Sequence, residues 1–244
     1  MALTSNIWKI FTIIFFALTM LNLVAHNVFI EPNVFTAKNY IFHVITKPLI
    51  MCSALFLLIK YLSQKEYQNW LLVAFTYSLL GDVLIMGQGI NDVFFASGMA
   101  AFFVAHVSYI IYFHRSAGAW FGQNTTIQAL QAGVILYAIG FYMLMLPSLG
   151  VFWIPVLVYQ TIIALMGVVA LGRYGRVNFE AYIYSVVSAF SLLLANSIFA
   201  YTKFLPSQQL GDLSSSLITL SYFFAQYMML KGFIALRAPQ PSGI

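Results

Sequence analysis

Along the chain, apolar residues come in long runs broken by brief polar punctuation, and nowhere do they alternate with a period of two over strand-length segments. Each run approaches the roughly 20 residues that a helix needs to cross a hydrocarbon core. The pattern predicts eight spans, at Ile7–Ile30, Asn39–Ile59, Trp70–Met86, Val93–Phe113, Ile127–Leu146, Val151–Leu171, Ala181–Tyr201 and Leu213–Leu236. The breaks carry turn chemistry: Ser63 to Glu66, Gly87-Gln88-Gly89, Arg115 to Gly122, Gly172 to Asn178 and Pro206 to Gly211. Pro147, Ser148 and Gly150 separate two runs that would otherwise read as one helix, and predict a tight turn. No extramembrane domain fits between the spans, so residues 1–244 read as a single multi-pass domain. The expected fold class is an all-α membrane protein, a bundle of about eight transmembrane helices.

Composition agrees. Of 244 residues, 62% are hydrophobic and 7% charged, against about 25% charged in a soluble domain, so the chain cannot cover a soluble globule. Lipid cannot satisfy loose backbone groups, which leaves helices as the spanning element for runs of this length. With eight spans, Lys9, Lys60, Lys65, Arg115, Arg173, Arg176, Lys231 and Arg237 fall on one side. Lys38 and Lys203, with Glu31, Asp92 and Asp212, fall on the other. The positive-inside bias therefore places both termini in the cytoplasm. The net charge of +5 reads as anchoring to anionic headgroups rather than as a nucleic-acid surface. Lone Cys52 excludes a disulfide framework and is expected to be a small buried hydrophobe. The apolar N-terminal run lacks a convincing cleavage site and reads as the first helix.

Polar residues inside the spans carry the functional information, because ionisable groups at membrane depth are costly and usually face an interior. Asp82 in the third span, Lys47 before Pro48 in the second, His106 in the fourth and Asn196 in the seventh qualify. Asp82 reads either as a functional acid or as the ion-pair partner of Lys47. Gly98, Phe102, His106 and Tyr109 share one helical face, as do Thr219, Tyr222 and Gln226. Interhelical hydrogen bonding explains such faces as readily as chemistry does. His26, His43, His106 and His114 have no metal-ligand spacing, and no nucleophile elbow, phosphate loop or dinucleotide fingerprint occurs. No metal or cofactor is expected. An enzyme built on this chain has to rely on carboxylate acid-base chemistry.

The run Gly81-Asp82, then Ser97-Gly98-Met99-Ala100-Ala101-Phe102-Phe103-Val104-Ala105-His106-Val107-Ser108-Tyr109, with Lys47-Pro48 upstream and Tyr222-Phe223-Phe224-Ala225-Gln226-Tyr227 downstream, resembles the YhhN family of lysoplasmalogenases. The resemblance implies a multi-pass hydrolase acting on the vinyl ether bond of lysoplasmalogens. Its products would be a fatty aldehyde and glycerophosphocholine or glycerophosphoethanolamine. Such cleavage starts by protonating the carbon β to the ether oxygen. Water then adds to the oxocarbenium ion, and the hemiacetal collapses to aldehyde and alcohol. Asp82 is the expected proton donor. Its neighbours Leu79, Leu80, Val83 and Leu84 favour the neutral acid by desolvation, whereas an ammonium such as Lys47 favours the carboxylate; their separation decides between the two.

The family pattern has a second aspartate in the seventh span, in a Ser-Asp pair, where this chain has Ala195-Asn196. Asparagine can hold water but cannot exchange a proton. Counted from the predicted span starts, Asp82 and Asn196 lie at roughly 18 and 22 Å along their helices, so one cavity is expected, lined also by Lys47, His106, Tyr109, Tyr222 and Gln226. The implied partners are a lysophospholipid substrate and membrane lipid, with no nucleic acid. The implied location is a bacterial inner membrane, or the endoplasmic reticulum in a eukaryote. A lipid or small-solute transporter and an intramembrane aspartyl protease are the alternatives. The missing second aspartate counts against the protease.

Overall fold

A computed structural model describes residues 5–29, 37–63, 65–118, 120–205 and 211–237. Among them are eight α-helices: α1 (Ser5–Phe29), α2 (Ala37–Tyr61), α3 (Glu66–Met86), α4 (Asp92–Ala117), α5 (Thr125–Met145), α6 (Trp153–Gly172), α7 (Phe179–Phe204) and α8 (Gly211–Arg237). No strand occurs among the described residues, and all eight helices are long and apolar enough to cross a membrane. The protein is thus an all-helical, multi-pass membrane protein, with each predicted span falling on one helix. Glu31 and the loop at 206–210 lie outside the described residues, as do the side chains of His26, Lys38, His43 and Asp212.

The helix ends show why the breaks fall where they do. Asn124 and Asn178 are N-caps whose side-chain oxygens accept from the backbone N–H of Ile127 at 2.8 Å and Ala181 at 2.7 Å, which satisfies donors that a helix start leaves open. The predicted turn after α5 is two short 3₁₀ segments, Leu146–Ser148 and Gly150–Phe152. Gly150 there adopts φ +51°, a conformation that a side chain would strain.

The chain forms two compact units, residues 1–105 and 106–244, with the boundary inside α4. In the first, α1 packs on α2 and α2 on α3. Helices α3 and α4 approach closely at two glycines: a Cβ on Gly81 would meet the Phe102 ring at 2.9 Å, and one on Gly98 would lie 3.1 Å from the Ile85 nitrogen. Small residues at such a crossing allow the backbones near contact. Buried Asn22 donates to Thr46 Oγ1 at 2.8 Å and ties α1 to α2. Cys52 is exposed, against expectation. It lies off the buried face of α2 that carries Ile50, Met51, Ala54, Leu57 and Leu58, and lines an apolar groove of about 480 Å³ with Ile10, Ile14, Leu49 and Phe56.

In the second unit, α5 packs on α6, α6 on α7 and α7 on α8. Buried Gln131 secures the loop before α5. Its amide donates to the carbonyls of Val168 at 2.7 Å and Trp120 at 3.2 Å, and its oxygen accepts from Gly122 N at 3.1 Å. Arg173 does not reach toward headgroups as its place in the charge pattern suggested. It is fully buried, donates to Ser116 Oγ at 2.6 Å, and sets its guanidinium over the rings of Phe113 (4.9 Å) and Tyr112 (5.6 Å). Aromatic faces stabilise a desolvated guanidinium.

The charge asymmetry makes orientation testable. Tags at either terminus are expected to be accessible from the cytoplasm, and probes in the loops around Gly89, Pro147 and Pro206 from the opposite side. Labelling of the 173–178 loop from outside would overturn the assignment.

Candidate functional site

Two polar groupings lie within the spans, one in each unit. The first is an ion pair: Lys47 Nζ stands 3.3 Å from Asp82 Oδ1, with the lysine side chain 16% exposed and the aspartate 1%. Asp82 lies near the C-terminal end of α3, which begins at Glu66 rather than at the predicted Trp70, so the acid is further along its helix than the sequence suggested. The other acids with described side chains, Glu66, Asp92 and Glu180, all occupy first turns, where the helix dipole favours an anion. Asp82 has no such support from its own helix, and the Lys47 ammonium supplies the compensating charge. Lys47 is followed by Pro48 inside α2, which cannot complete the ladder bond back to the preceding turn. Ser78, one turn before Asp82, is also buried.

The second grouping is built around Asn196, on α7. Its Oδ1 accepts from Tyr159 of α6 at 3.1 Å. Its Nδ2 donates to the Leu192 carbonyl at 2.8 Å and stands 3.4 Å from Nε2 of His106 on α4. The buried His106 ring meets those of Tyr159 and Tyr109 edge to face, at 5.6 and 6.5 Å. Tyr109 in turn donates to Gln226 Oε1 of α8 at 2.5 Å, and both are fully buried. Ser188 of α7 donates to the Ala225 carbonyl at 2.8 Å. Tyr222, one turn before Gln226, is buried beside Phe223.

The structure brings Lys47 to Asp82, the ion pair that the sequence offered as an alternative, and it also joins His106 to Asn196 and Tyr109 to Gln226, contacts that the sequence did not pair. The face of α4 carrying Gly98, His106 and Tyr109 is buried, with Phe102 half-buried among them. Tyr159 escaped the sequence reading. It sits in the strongly apolar sixth span, where a tyrosine reads as part of the membrane aromatic complement. The adjacent Gln160 and Thr161 were the available signal, because a polar run in such a span needs partners. Among the described residues, no group of three or more His, Cys, Asp or Glu side chains could hold a metal ion.

A family model matches residues 42–233, the description being YhhN family. The chain belongs to the YhhN family. No curated protein and no solved structure matches it. The matched range runs from α2 into α8, so the Lys47–Asp82 pair and the whole Asn196 grouping lie within the portion that defines the YhhN family.

The ion pair predicts an asymmetric stability cycle. Lys47→Met, which removes the cation beside the buried carboxylate, is expected to cost about 3–5 kcal/mol. The double variant Lys47→Met/Asp82→Asn should recover most of it. Thermal unfolding of the purified variants in detergent checks this, and a double variant no more stable than Lys47→Met would show that the loss has another source.

Proposed function

We propose that this chain hydrolyses the vinyl ether bond of lysoplasmalogens, releasing a fatty aldehyde and glycerophosphocholine or glycerophosphoethanolamine. The observation that carries this reading is the Lys47–Asp82 pair, with its aspartate buried, in a YhhN-family chain. Protonating a vinyl carbon is the difficult step, and it needs an acid held away from water next to an acyl chain. A lysine and an aspartate in contact share one proton between them. In the charge-separated form it sits on the ammonium; in the other form a neutral amine faces a neutral carboxylic acid.

In that form Asp82 gives its proton to the carbon β to the ether oxygen. The π electrons form the new C–H bond, and the carboxylate left behind stabilises the oxocarbenium charge electrostatically. Water adds to the oxocarbenium carbon and passes a proton to solvent, giving a hemiacetal, and the Lys47–Asp82 pair regains from solvent the proton it gave to carbon. Collapse moves the hydroxyl proton to the departing glycerol oxygen, and aldehyde and alcohol separate.

A membrane-depth ion pair also marks transport paths, so a lipid or small-solute carrier is the second reading. An intramembrane aspartyl protease needs two carboxylates, and among the acids with described side chains Asp82 is alone in lying beyond a first turn. Incubation of purified protein with a lysoplasmenyl lipid separates these readings. Aldehyde release, abolished by Asp82→Asn, is the expected result. Uptake into vesicles without cleavage would favour transport, and near-normal turnover by Asp82→Asn would remove Asp82 as donor.

Position 196 gives a further test. Asn196→Asp restores the second carboxylate of the family pattern, and a positioned general base is typically worth about 10²–10⁴ in rate. Turnover by the aspartate form should exceed that of the chain as it stands by a factor in this range. Equal rates would mean that no carboxylate is needed there.

A further inference from the structure

We infer that the groove between α1 and α2 binds one acyl chain of an anionic phospholipid, whose phosphate rests on the Lys60 ammonium. Asn22 of α1 bonds Thr46 of α2, and the groove joins residues before Asn22, from Ile7 to Leu18, to residues after Thr46, from Leu49 to Leu57. The two helices therefore run antiparallel, and the Ile7 end of the groove is also its Leu57 end. At about 1.5 Å per residue, Ile7 to Leu18 covers about 16 Å, half of a hydrocarbon core about 30 Å thick. That is the depth of one leaflet, which suits a lipid chain. A partner helix, or a second copy crossing the whole membrane, would call for a groove of twice that length. The walls offer the chain hydrocarbon, because the Ser53 hydroxyl is turned back to donate to the Ile50 carbonyl at 2.7 Å.

The charge at the mouth selects the headgroup. Lys60 follows Phe56 by four residues and Leu57 by three, which puts it on the groove-lining stripe of α2, one turn past the last lining residue. It is exposed, and among the described residues no acid pairs with it. At the same end, half-buried Trp8 packs on the groove residue Phe11 with ring centres 5.4 Å apart. Tryptophan near the end of a span sits at headgroup level, so the mouth lies at the depth of the phosphates. A single ammonium there favours a lipid of net negative charge, since a zwitterionic headgroup carries its own cation. Lys47 lies on the side of α2 roughly opposite Leu49 and pairs with Asp82. The lipid site is thus separate from the ion pair and independent of the hydrolytic reading.

Cys52, the sole cysteine of the chain, lines the groove and reports on its occupancy. The test follows alkylation of Cys52 by N-ethylmaleimide in the full chain in detergent micelles, titrated with dioleoylphosphatidylglycerol or with dioleoylphosphatidylcholine. Half-protection is expected at about fivefold less of the anionic lipid, the order that one lysine near a charged membrane surface contributes. Lys60→Gln should bring the two lipids to parity while leaving the groove able to protect. A comparison cysteine at exposed Ile13, outside the groove, made as Ile13→Cys/Cys52→Ser, should show no such protection. Absence of protection by either lipid, or equal protection at positions 13 and 52, overturns the binding site. A lipid preference unchanged in Lys60→Gln, or none in the unaltered chain, overturns the headgroup contact. Cys52 already shielded in lipid-free detergent, in a species of twice the chain's mass, would assign the groove to a second copy and overturn the inference.

Discussion

A bilayer offers no hydrogen bonds, so each polar group that enters the spans has to find its partner inside the protein. Nearly every feature of this molecule that is not simply apolar follows from that constraint. Asn22 reaches Thr46, Gln131 spans from a loop to the backbone of α6, Tyr109 meets Gln226, and Ser188 finds the Ala225 carbonyl. Each links separate elements, so these bonds help to choose the neighbour and register of helices that hydrophobicity alone leaves free to slide. Single bonds of this kind are modest, averaging about 0.6 kcal/mol in one membrane protein, and their contribution lies more in specificity than in total stability.

The ion pair obeys the same constraint more stringently. Removing the charge on either Lys47 or Asp82 takes away the counter-charge of the other, whereas an apolar pair of similar shape would be no less stable. A protein that needed only stability at this point has cheaper ways to fill the space. An acid near the C-terminal end of α3, opposed rather than favoured by its helix dipole, is a local conflict of the kind expected at functional or strained sites. Around Asn196 the conflict is of another sort. The amide is matched to its neighbours: a carbonyl receives its N–H and a tyrosine hydroxyl serves its oxygen. A carboxylate in the same pose would set an oxygen against the Leu192 carbonyl. An aspartate at this position would therefore change the hydrogen bonding around it as well as the charge.

Much of the architecture was legible in the residues. The length of the apolar runs and their polar breaks determined eight helices, because a hydrocarbon core of fixed thickness and unsatisfied peptide groups leave little alternative. Asp82, Lys47, His106 and Asn196 stood out for the same reason, being polar where polarity is costly, and the spacing along α4 determined that His106 and Tyr109 share a face. Tertiary structure decided the rest. Cys52 turned outward because one residue's rotation around α2 separates a packed face from an exposed one, and Arg173 turned inward because aromatic rings from another helix awaited it. The sequence left open whether Lys47 lies beside Asp82, and the 3.3 Å separation answers it. Tyr159 joined the Asn196 grouping through a contact between α6 and α7 that no pattern within α6 encodes. Periodicity acts within one helix, whereas hydrogen-bond direction and charge pairing depend on which atoms of different helices meet, and only packing brings those atoms together.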